Sequence, residues 1–100
     1  MKKSNTIKIL HLTIKYKYFK LIAEGRKPLE FREMKPYWTK RIMKNLFETK
    51  DFDEIHIRNG YNKNNPFMRI KWNGMVLKKY NKKICFAIDV TEIIEIINYR

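Results

Sequence analysis

Cysteine is almost missing from this chain. Cys85 stands alone, so no intramolecular disulfide can form. It lies in the apolar run Ile84 to Ile88 and reads as a small core residue. No Cys/His cluster has metal-ligand spacing, and His11 and His56 lie far apart with no partner motif. Neither a metal nor a cofactor is therefore expected. Glycine and proline occur only 3 times each. Low-complexity tracts and internal repeats are absent, which excludes a repeat architecture. Long apolar runs are missing as well. None follows the basic start, Met1 to Thr6, so a signal peptide or membrane span is not expected and the cytoplasm is the default location.

Acidic residues are scarce. There are 10 Asp+Glu against 23 Lys+Arg, a formal net charge of +13 and a pI near 10.0. Residues 1–50 hold 14 basic and 4 acidic side chains, whereas residues 51–100 hold 9 and 6. A field of one sign concentrated on one half draws polyanions toward it. Nucleic acid is the commonest cellular polyanion. A codon preference for Lys, Asn and Ile would also produce a lysine-rich surface, so charge alone does not choose a partner.

What is present is a foldable chain. Its 100 residues fit one domain, and 44% hydrophobic residues suffice for one modest core. Ile7 to Ile14 predicts a strand buried on parts of both faces. Tyr16 to Glu24 predicts a helix whose Tyr16, Phe19, Ile22 and Ala23 line one face, closed by Gly25. Lys27 to Glu33 is extended. Pro36 opens a second helix, with Trp38, Ile42 and Leu46 repeating and Met43 and Phe47 widening the stripe. Glu54 to Arg58 and Phe67 to Trp72 alternate as strands, separated by a polar loop. Asn73-Gly74 predicts a hairpin into Met75 to Tyr80, and Asn81-Lys82 another turn before Ile84 to Val90. Thr91 to Arg100 fits either a bulged strand or a helical turn before a strand. The order predicts an α+β fold, and a small barrel would remove exposed edges.

One segment gathers chemistry: Gly25-Arg26-Lys27-Pro28-Leu29-Glu30-Phe31-Arg32-Glu33. Glu30 and Arg32 share a strand face, and Lys27 sits at the strand's mouth. Two cations around a carboxylate can bind a phosphate, with Glu30 holding the arginine. The same set can do acid–base or nucleophilic work if burial and a cationic neighbour lower the Lys27 pKa. A salt-bridged surface strand is the plainer alternative.

The run Gly25-x-Lys27-x-x-Glu30-x-Arg32 resembles the signature of the ASCH family. Tyr18-Phe19-x-x-Ile22 precedes it, and Tyr37-Trp38, Phe52-Asp53-x-Ile55 and Arg58-Asn59-Gly60-Tyr61 follow. The likeness is to the short, stand-alone members of bacteria and phages and covers roughly residues 7 to 90. It implies one domain over 1–100, with 1–6 as a basic extension. The implied fold is a PUA-like small β-barrel of five to six mostly antiparallel strands with two outer helices. It implies an RNA or nucleotide partner held by Lys27, Glu30 and Arg32. Tyr37, Arg58, Asn59 and Tyr61 are the expected supporting residues, with Tyr61 offering a ring to a base. Tyr16, Tyr18, Trp38 and Trp72 are assigned to packing, and Lys78, Lys79, Lys82 and Lys83 to a solvated tip. Some family members are hydrolases, ribonucleases or acetylcytidine amidohydrolases, which would make Lys27 and Glu30 catalytic. The amidohydrolases use a threonine where this chain has Glu30. A third possibility is a phage accessory protein that captures a host ligand.

Overall fold

The computed structural model describes residues 6–99. The expected basic extension, residues 1–6, therefore lies outside the described residues except for Thr6. The element order is β1 (Ile9–Thr13), α1 (Tyr16–Ala23), β2 (Leu29–Glu33), α2 (Pro36–Ile42), β3 (Glu54–Arg58), β4 (Phe67–Lys71), β5 (Met75–Tyr80), β6 (Lys83–Asp89) and β7 (Ile93–Ile97). The fold is α+β. Its strands form two sheets, one ordered β1-β3-β4-β7 and the other β2-β6-β5. Among the described residues no ladder joins the two sheets into a closed barrel.

The larger sheet owes its core face to alternation. Leu10 pairs with Ile55 and Ile55 with Ile70; Leu12 pairs with Ile57 and Ile57 with Met68. All six are buried, and each contributes roughly 1.5–3 kcal/mol of burial free energy. β1 thus buries Leu10 and Leu12 on one face, while Ile9 on the other face is half-buried. The opposite face carries a polar row, His11–His56–Arg69–Glu95, across all four strands. β7 pairs with β4 through an irregularity between Arg69 and Ile70, so the bulged-strand reading of the C-terminus is the one adopted.

α1 buries Phe19 and Ile22. It ends as expected at Gly25, whose φ of +74° lets the Gly25 and Arg26 N–H groups donate to the carbonyls of Ile22 and Leu21. α2 begins at Pro36 but stops at Ile42, short of the predicted Leu46. Local side-chain bonding competes with the helix. Asn45 Oδ1 accepts the N–H groups of Phe47 and Glu48, and Met43 bridges to Thr49. Leu46 and Phe47 consequently point outward.

Asn73-Gly74 does not make the predicted hairpin. β4 already has β3 and β7 on its two edges, so β5 leaves for the other sheet and pairs with β6. The true hairpin turn is Asn81-Lys82, where φ is +54° and +69°. In this smaller sheet Glu30 pairs with Ile88 and Arg32 with Phe86. Ile88 and Phe86 are core residues, so the charged face of β2 is the face turned inward.

Candidate functional site

β1 is an edge strand of the larger sheet and β2 an edge strand of the smaller one. Where these edges meet, a cleft of about 470 Å³ opens between the sheets. That lies within the range of about 300–1,000 Å³ typical of small-molecule sites. His11 and Thr13 of β1, with Ile14 and Lys15 of the following link, line one side. Glu30, Phe31 and Arg32 of β2, with Lys27 before it, line the other. Tyr18 of α1, Tyr37 and Trp38 of α2, Tyr61 of the β3–β4 loop and Tyr80 of β5 complete the wall.

Glu30 anchors the floor. It is the one buried charged side chain among the described residues, 6% exposed. Lys27 Nζ stands 3.3 Å from its Oε1, and Arg32 Nη1 donates to its Oε2. Burial of a lone carboxylate would cost several kcal/mol, and these two partners offset it. Each cation is tied to backbone as well. Lys27 Nζ donates to the Leu29 carbonyl at 2.9 Å, and Arg32 Nη2 to the Thr13 carbonyl at 3.2 Å. The latter bond joins the edge of one sheet to the edge of the other.

Aromatic rings surround these charges. Lys27 Nζ lies 5.6 Å from the Tyr18 ring centroid and 5.4 Å from that of Phe31. The Arg32 guanidinium lies 5.2 Å from the Trp38 ring. Phe31 and Tyr80 stack at 4.2 Å and 6°, and Tyr37 meets Trp38 edge-on at 4.9 Å. Lys15, Lys27 and Arg32 against Glu30 leave two positive charges uncompensated in the cleft. The His11 imidazole is pushed below its ordinary range, first by desolvation and then by His56 and Arg58. It therefore enters as a neutral group able to donate and accept. Planar rings together with surplus cations suit a ligand that is both flat and anionic.

Of the residues expected to hold a ligand, Lys27, Glu30, Arg32, Tyr37 and Tyr61 line this cleft. Arg58 and Asn59, expected beside Tyr61, do not line the cleft. The Arg58 guanidinium packs 4.5 Å from the Phe67 ring on the outer face of the larger sheet. Asn59 holds backbone together: its Nδ2 donates to the Ile14 carbonyl, and its own carbonyl accepts from Asn65 Nδ2. Tyr18 and Trp38, assigned to packing, are cleft residues. Trp38 also packs against the core. Tyr16 and Trp72 do pack, the first against Tyr99 and the second against Phe52. His11, Thr13, Lys15, Phe31 and Tyr80 are cleft residues that the sequence motifs do not include as ligand-holding positions. Only Phe31 carried a signal, through its place in the Lys27–Arg32 run; Tyr80 joins it through the pairing of β5 and β2 with β6.

Among the described residues no group of three or more His, Cys, Asp or Glu side chains is arranged to hold a metal ion. No helix among them is long and apolar enough to cross a membrane. No protein-family model, curated protein or solved structure matches the chain.

Proposed function

We propose that this chain is an RNA- or nucleotide-binding domain of the ASCH type, a variant of the PUA-like barrel opened into two sheets, working in the cytoplasm. One observation carries the reading. Six aromatic side chains and three cations converge on a single nucleotide-sized cleft around a buried carboxylate. A base would stack among Tyr37, Tyr61 and the Phe31–Tyr80 pair, as bases do on aromatic platforms. A phosphate would take its charge-assisted hydrogen bonds from Arg32, with Lys27 and Lys15 adding field. Glu30 would hold the two cations in place between ligands.

Binding fits the geometry better than turnover. Both Glu30 oxygens already face cations, and Lys27 is held by a carboxylate and a carbonyl. That arrangement suits a fixed electrostatic cradle more than a group that must accept a proton or attack a carbonyl. The experiment is a titration of the purified chain with AMP and with single-stranded RNA, following product formation in the same samples. Binding that weakens about tenfold or more in Lys27→Ala and Arg32→Ala, without product, is the expected result. Absence of any affinity at low salt would sink the reading. Product that disappears in Glu30→Gln while binding persists would make the domain a hydrolase.

A further inference from the structure

α2 links the cleft to a second feature. Tyr37 and Trp38 at its start line the cleft, while the segment after its end forms another cavity, about 530 Å³, lined by Lys8, Ile9, Lys44, Lys50, Asp51 and Phe52. Among the described residues Lys8, Lys44 and Lys50 take part in no ion pair. Three lysines and one carboxylate, Asp51, therefore line this cavity.

Beside this cavity Leu46 is 88% and Phe47 90% exposed. Their loop is well tied. Besides the Asn45 Oδ1 bonds, Asn45 Nδ2 donates to Glu48 Oε1 at 2.7 Å, and the Lys44 N–H to the Glu48 carbonyl at 2.8 Å. A loop whose polar groups satisfy one another, yet which holds two large apolar side chains in water, is shaped to present them.

We infer that this is a second contact for single-stranded nucleic acid. The lysine cavity takes a backbone phosphate, and Phe47, with Leu46 beside it, stacks on a neighbouring base. The inference rests on the nucleotide reading of the cleft and names the ligand as a polymer. Two observations favour a nucleic acid over other anionic partners. Unpaired lysines and an aromatic ring side by side match the alternation of phosphate and base along a strand. The Arg41 guanidinium, 3.6 Å from the Tyr37 ring, also places a cation on α2 between the two sites. At about 1.5 Å per helical residue, α2 itself, the 7 residues Pro36–Ile42, is roughly 10 Å long. A short single strand spans that length.

The test compares a labelled single-stranded RNA of about 12 nucleotides with AMP. The variants are Leu46→Ser/Phe47→Ser and Lys44→Glu/Lys50→Glu. Leu46 and Phe47 are almost wholly exposed, so their replacement leaves the core intact. Each variant is expected to weaken RNA binding about tenfold or more while AMP binding stays unchanged. RNA affinity that ignores both variants but falls in Lys27→Ala overturns this contact and leaves the cleft standing. Loss in the loop variants alone, with Lys27→Ala and Arg32→Ala silent, supports this contact and overturns the cleft. Loop-dependent binding to phosphatidylserine vesicles, with RNA affinity unaffected, overturns the contact in favour of a membrane surface. A wild-type chain that binds AMP but no RNA overturns this contact and leaves the cleft standing; one that binds neither overturns both readings.

Discussion

Lys27 Nζ stands 3.3 Å from Glu30 Oε1, three residues along the chain and beneath the mouth of the cleft. With Arg32 on the other oxygen, the buried carboxylate is balanced by two cations. Glu30→Gln leaves both cations facing a neutral amide. We expect it to lower unfolding free energy by about 2–3 kcal/mol, read from urea titration. An unchanged midpoint would mean that the triad adds nothing to stability.

Asn59 and Tyr61 are two residues apart and should behave oppositely. Asn59→Ala removes the bond to the Ile14 carbonyl and should cost about 1–2 kcal/mol of stability, with nucleotide affinity nearly intact. Tyr61, 89% exposed, lines the cleft, so Tyr61→Ala should weaken ligand binding about fivefold or more with little change in melting temperature. Thermal melts and fluorescence titrations on both variants separate the two roles. A reversed pattern would move Asn59 into the site.

Lys15 lines the cleft, has no ion pair among the described residues, and supports α1 through its backbone carbonyl. Lys15→Ala should therefore act on ligand electrostatics alone. The slope of log affinity against log salt for single-stranded RNA should shrink by about 0.7, the share of one phosphate contact. A parallel, unshifted slope would place Lys15 away from the strand.

Acid should destabilise the chain in part through Glu54. The Arg69 guanidinium, donating at 2.9 and 2.7 Å, and then His56 hold its carboxyl down at about 2, from an ordinary 4.5. A depressed carboxylate contributes stability that is whole above the unfolded value and disappears as pH falls through the folded one. Between pH 4.5 and 2 the chain should lose on the order of 1–2 kcal/mol from this group, since solvent at the half-exposed Arg69 screens the pair. Chemical unfolding at a series of pH values checks this. Glu54→Gln should flatten the acid limb; an unaltered limb would assign the loss to other carboxylates.

The sequence by itself determined the elements whose causes are local. Pro36 starts α2 and Gly25 ends α1 because φ preferences act within a few residues. The alternation of Ile55 with Ile57 and of Met68 with Ile70 fixed which faces are buried. The closeness of Lys27, Glu30 and Arg32 was legible too, because a strand places residues i and i+2 on one side.

Only the tertiary structure decided the rest. Asn73-Gly74 looks like a hairpin until β3 and β7 occupy both edges of β4, and edge occupancy is not a local property. Leu46 fits the α2 stripe until Asn45 bonds turn the chain away. Above all, pairing with β6 turned the charged face of β2 toward the core. In β2, where Leu29 and Phe31 alternate with Glu30 and Arg32, alternation says which side chains share a side but not that the charged side faces in. That choice makes the Lys27–Glu30–Arg32 set the floor of a cleft, and the meeting of two sheet edges brings Tyr18, Trp38 and Tyr80 to its walls.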